Sequence, residues 1–110
     1  MGDHSCLGDY VICDNIGGVR IGAHSTVSQY SHLCSSSHDY ERSNMPQTFA
    51  CVEIEDQVWI CTDVFVAPGV KVGQGAVIGA RSSAFNDVEP WTVVGGNPAK
   101  FIKKRKLKRT

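Results

Sequence analysis

Residues 54–88 read IEDQVWICTDVFVAPGVKVGQGAVIGARSSAFNDV, and a six-residue period runs through the whole stretch. Ile54, Ile60, Val66, Val72, Ile78 and Ala84 fall on one ladder, and Val58, Val64, Val70, Ala76, Ser82 and Val88 follow each of them by four places. Twelve positions in register exceed what chance supplies. A period of six does not fit a 3.6-residue stripe, so a helix is excluded. Between the ladders stand pairs suited to turning a chain: Asp56-Gln57, Thr62-Asp63, Pro68-Gly69, Gln74-Gly75, Ala80-Arg81 and Asn86-Asp87. A short extended segment that sends a branched apolar residue inward, turns at a corner and repeats makes one face of a solenoid.

The ladder extends backwards through Ile21, Val27 and Leu33, and more weakly through Met1, Leu7 and Cys13, with Ser5 and Val11 behind them. Two extra residues around Asn15 to Val19 shift the register once. This predicts coils from residue 1 to about 34, an interruption over 35–52, coils again to about 89, and then a tail. Residues 1–99 are expected to form one all-β repeat domain of about four coils, with 100–110 as a basic C-terminal tail. A solenoid this slender buries a thin core, so self-association is the expected remedy. Met1 stands in register, which leaves the N-terminal edge without a cap in the sequence, to be covered by a partner or by further chain.

At 110 residues, with 42% hydrophobic and 20% charged residues, the composition is that of one ordinary globular domain. No run is long and apolar enough for a membrane span and no signal peptide is apparent before the repeats, so a cytoplasmic location is expected. Five cysteines without paired spacing are expected to be reduced thiols that pack as small apolar residues. The interruption, CSSSHDYERSNMPQTFAC, is polar, lacks the period and carries Pro46. Loops extruded from a rigid scaffold carry function disproportionately. The balanced net charge hides an asymmetry, because Lys100 and the following FIKKRKLKRT hold seven of the eleven basic residues. That end of the chain attracts anions.

The six-residue ladder, SHDY at 37–40, VWI at 58–60, APGVKVGQGAVIGA at 67–80 and WTVVGGNPAKFIKKR at 91–105 together resemble the hexapeptide-repeat O-acetyltransferases. Within them the resemblance is to the colanic acid biosynthesis type, related to galactoside and maltose acetyltransferases. GNPAKFI is its most specific part. The resemblance implies a left-handed parallel β-helix, a homotrimer, and acetyl-CoA as co-substrate in the clefts between subunits. A saccharide or similar small acceptor is expected, with no metal ion, no nucleic acid and no membrane insertion. The left hand comes from the resemblance alone, since general rules favour right-handed crossovers.

Acetyl transfer to an alcohol needs a base, and imidazole has the matching proton affinity. His38, at the root of the interruption, matches the catalytic histidine of the family's Gly/Ser-His-Asp/Pro context, while His4, His24 and His32 are expected to be solvated on turns or faces. The resemblance gives Asn15 the task of holding the acceptor hydroxyl beside the base; its other reading is a left-handed turn residue. For the coenzyme it implies Trp59 against the pantetheine arm, backbone groups of Thr62 and Ala80 on the amides, and Lys100 and Lys103 on the phosphates. Phe85-Asn86 stands where relatives carry a Thr-Lys pair that touches the coenzyme. Cys61 and Arg81 also replace residues that are small in the family. Two other classes compete. One is a non-catalytic scaffold or anion-binding module that uses the basic tail. The other is a zinc-dependent, carbonic-anhydrase-like hydratase holding its metal between subunits through His32, His38 and His24.

Overall fold

The computed structural model describes residues 1–108. The chain winds into a three-sided stack of short parallel strands. On the first face lie β1 (Cys6–Leu7), β4 (Thr26–Val27), β9 (Trp59–Ile60), β12 (Val77–Ile78) and β14 (Thr92–Gly95). The second face holds β2 (Ile12–Asp14), β5 (His32–Cys34), β10 (Phe65–Val66) and β13 (Ser83–Ala84). The third holds β3 (Val19–Ile21), β8 (Val52–Ile54) and β11 (Lys71–Val72). Two strand pairs depart from this winding. β6 (Ser36–His38) and β7 (Gln47–Phe49) form an antiparallel hairpin, and β15 (Lys100–Lys104) lies antiparallel on β14.

Register follows the ladders. Ile54 pairs with Val72, Ile60 with Ile78 and Val66 with Ala84, so one coil takes eighteen residues over three faces. All twelve ladder residues of the 54–88 stretch are buried, none more than 6% exposed, and the eleven apolar ones form the centre of one continuous core. Leu7 pairs with Val27 and Cys13 with Leu33, which bears out the weaker early ladder. Met1, Leu7 and Cys13 are nonetheless exposed, because the first coil is stacked on one side only.

Corners are built in a uniform way. Gln57, Asp63, Gly69, Gly75 and Arg81, each the second member of a turning pair, have positive φ, as do His4, Tyr10, His24, Tyr30 and Trp91. The N–H of such a residue donates to a corner carbonyl of the coil stacked on it: Gln57 to Ala23 at 3.0 Å, Asp63 to Gln29 at 3.0 Å, Arg81 to Thr62 at 2.9 Å. Inside the corners, serine hydroxyls bridge coils. Ser25 Oγ donates to the Glu55 carbonyl at 2.7 Å and accepts from Val58 N–H at 3.1 Å. Ser31 does the same with Cys61 and Val64 at 2.8 and 3.1 Å. All five cysteines are free thiols.

Candidate active site

The hairpin grows from the corner between the second and third faces and is fixed at its root by Ser35, which is buried. Its hydroxyl donates to the Asp14 carbonyl and accepts from Gly17 N–H at 2.8 Å, while its own carbonyl accepts from Ala50 N–H at 3.0 Å. A Cβ at Gly17 would overlap the Ser35 carbonyl oxygen, so the close approach requires glycine there. β8 starts at Val52, so the last residue of the expected 35–52 interruption is already core.

His38 ends β6 opposite Gln47 and is exposed. Its Nδ1 lies 2.8 Å from the Met45 carbonyl. A carbonyl can only accept, so Nδ1 carries the proton and Nε2 keeps its lone pair. The turn beyond it is closed by Asp39, whose carboxylate accepts from Glu41 N–H at 3.1 Å and pairs with Arg42 Nε at 3.2 Å.

Asn15 sits in the widened corner where the register slips. Its Oδ1 accepts from Val19 N–H at 2.8 Å and its carbonyl from Gly18 N–H at 3.3 Å. The oxygen therefore serves the turn, and the side-chain amide N–H groups are what Asn15 can offer a ligand. Beside it, the Ser36 hydroxyl donates to Asp14 Oδ2 at 2.7 Å and holds that carboxyl below the ordinary carboxylate range, with smaller help from Ile16 N–H, Cys34 and His32.

Three of the expected coenzyme residues come together. Trp59 lies on the outer side of β9, half exposed, its Nε1 donating to Ser28 Oγ at 3.0 Å. With Thr62, Ala80, Ser28, Gln29 and Cys61 it lines a shallow groove of about 370 Å³. The Thr62 hydroxyl donates to Gln29 carbonyl at 2.9 Å and its own carbonyl accepts from Arg81. Burial pushes the Cys61 thiol up from its ordinary range.

The other four lie apart from that groove. Phe85 packs on Phe65 beside the second face, ring centroids 6.0 Å apart. Asn86 lines a smaller pocket of about 180 Å³ with Val94, Ala99 and Phe101. Lys100 and Lys103 stand exposed on β15, opposite Gly95 and Val93. Sequence reasoning missed Arg105, whose guanidinium lies 5.8 Å over the Trp91 ring and donates to the Gln57 and Gly75 carbonyls at 2.8 and 3.0 Å. Only its place in a basic run hinted at it.

The remaining histidines divide. His4 and His24 stack at 5.0 Å on the exposed corner between the third and first faces. His32 corrects the expectation of a solvated ring: it packs edge-on against Phe65 at 5.7 Å, and its Nε2 is buried without a hydrogen-bond partner among the described residues. Within one chain, His24 and His32 thus occupy different parts of the coil.

No protein-family model matches the chain. It is 44% identical over 105 residues to a putative colanic acid biosynthesis acetyltransferase of Escherichia coli K12, a match covering 96% of this chain and 58% of that protein. The chain therefore spans somewhat over half the length of this curated relative. Among solved structures it is similar to a hexapeptide-repeat acetyltransferase of Vibrio cholerae complexed with acetyl-CoA, with TM-score 0.75 and 28% identity over 96% of this chain and 70% of that one. An N-acyltransferase of Bacillus cereus, in complex with coenzyme A and dTDP-4-amino-4,6-dideoxyglucose, shares the fold at TM-score 0.87 and 19% identity over 94% of this chain and 62% of that one.

Proposed function

We propose that this chain, whose resemblance to the hexapeptide-repeat acetyltransferases of the colanic acid type holds along nearly its whole length, transfers the acetyl group of acetyl-CoA to a hydroxyl of a saccharide or similar small acceptor. The observation that carries the reading is the His38 ring, with Nδ1 held by the Met45 carbonyl and Nε2 free. Nε2 takes the acceptor proton as the hydroxyl oxygen attacks the thioester carbon. The tetrahedral adduct collapses, the C–S bond breaks, and the imidazolium returns the proton to the departing coenzyme thiolate. The acetyl group passes directly within a ternary complex, a route that general-base catalysis by His38 completes without an acyl-enzyme intermediate.

In this reading Trp59, Thr62 and Ala80 bind the pantetheine arm along their shared groove. Phe85 and Asn86 border the coenzyme further along, Lys100 and Lys103 meet its phosphates, and Asn15 donates its amide to the acceptor. The chain winds as a left-handed β-helix of about four coils (1–99) with a basic tail (100–110), and works as a homotrimer in the cytoplasm, with coenzyme in the clefts between subunits. A saccharide acceptor is supported by the 44% identity to a putative colanic acid biosynthesis acetyltransferase.

The test is transfer of radiolabelled acetyl from acetyl-CoA to a panel of sugars and sugar nucleotides. Label is preferred over a thiol reagent because Cys6 and Cys13 are exposed. His38→Ala should lower kcat about 10²–10⁴-fold, the usual contribution of a positioned base. Undiminished turnover in that variant removes His38 from the chemistry. Absence of transfer to any acceptor, with the basic tail still binding anions, favours the scaffold reading.

A further inference from the structure

The second face carries, on its outer side, a group of side chains that acetyl transfer does not use. Leu33 in β5 points into the core. By strand alternation its neighbours His32 and Cys34 point outward. Asp14 is the cross-strand partner of Cys34 and joins them. Ligand atoms of Asp14, His32 and Cys34 all lie within 4.8 Å of one another, the one such group of three among the described residues.

We propose that Asp14, His32 and Cys34 bind a borderline-soft divalent cation, with Zn²⁺ as the type, at the root of the hairpin. A thiolate, an imidazole and a carboxylate suit such an ion, whereas Mg²⁺ and Ca²⁺ select oxygen ligands alone. Spacing agrees: tetrahedral bonds of about 2.3 Å to sulfur and about 2.1 Å to oxygen set the two ligands about 3.6 Å apart, and Cys34 Sγ lies 3.7 Å from Asp14 Oδ2. Paired parallel strands hold the donors before any ion arrives. The Ser36 hydroxyl orients the Asp14 carboxylate, as outer-sphere partners of metal ligands do. His32 also brings a buried ring nitrogen that no group among the described residues satisfies. On binding, the Cys34 thiol, now donating to the Ser36 carbonyl at 3.0 Å, gives its proton to solvent and the sulfur takes the metal in its place. Solvent completes the fourth position.

The site shares no residue with the proposed transfer machinery, and with the His24, His32 and His38 set of a hydratase it has only His32 in common. Its test is titration of the intact chain with Co²⁺, read by the near-ultraviolet thiolate-to-cobalt band, and with Zn²⁺ by calorimetry. One ion per chain is expected. Cys34→Ser should abolish the band, and Asp14→Asn and His32→Phe should each weaken Zn²⁺ binding at least about tenfold. These near-isosteric changes keep the Phe65 contact and the strand pairing, and circular dichroism checks that each variant is folded. No saturable binding overturns the proposal. So does binding that persists unchanged in all three variants, since the ion then sits elsewhere, for example on His4 and His24.

Discussion

At the scale of single residues, the solenoid depends on backbone conformations that most side chains avoid. Gln57, Asp63 and Arg81 hold φ near +60°, at a cost of about 1 kcal/mol each. The coil-to-coil hydrogen bonds made by their N–H groups offset it. Gly75 is different, because glycine is required there twice: φ is +72°, and a Cβ would overlap the Trp91 ring on which Arg105 rests. Gly75→Ala should therefore destabilise by at least about 1 kcal/mol and displace the Arg105 anchor, read as a lower denaturation midpoint. An unchanged midpoint would mean that the ring lies elsewhere in solution. The turning pairs were legible in the sequence, since five of six put their second member at positive φ. Arg105 was not, because nothing local marks one basic residue of a run as the one that reaches a carbonyl two coils away. The Asp14–Cys34 pairing was hidden for another reason. An eighteen-residue coil would set Asp14 beside His32, and the two extra residues between Asn15 and Val19 move it to Cys34.

Among elements, the strands are so short that their stability comes from stacking, and the inward serines make that stacking directional. Ser25 and Ser31 each satisfy an N–H and a carbonyl of the next coil inside the core, where an unpaired amide costs about 1–3 kcal/mol. Ser31→Ala strands the Val64 N–H and the Cys61 carbonyl at once. The expected loss is about 1–3 kcal/mol in urea-induced unfolding, and a loss well below that range would mean that water reaches the corner. The ladder strands could be read from sequence because burial imposes a strict pattern on them. β6 and β7 escaped notice because Ser36–His38 and Gln47–Phe49 are nearly all exposed, and no inward face writes an alternation into them. For the same reason the expected polar loop is an ordered hairpin. It holds His38 by main-chain pairing and by the Met45 carbonyl, which gives the base one orientation.

Considered as a whole molecule, the chain separates scaffold from chemistry. Its core accounts for the twelve-position ladder, while the proposed base on the hairpin, and the Trp59 groove and cationic β15 on the first-face sheet, all lie outside that core. Such a layout suits a reaction completed between neighbouring copies, which is why the trimer belongs to the proposed function. Within the first coil, at the far end from β15, Leu7 is 43% and Ile12 55% exposed. The most direct measurement of the central claim is calorimetric titration of acetyl-CoA into the intact chain, beside Trp59→Ala and His38→Ala. Saturable binding that weakens at least about tenfold without the Trp59 ring and survives the loss of His38 is the expected result. An intact, folded chain that takes up no acetyl-CoA would contradict it.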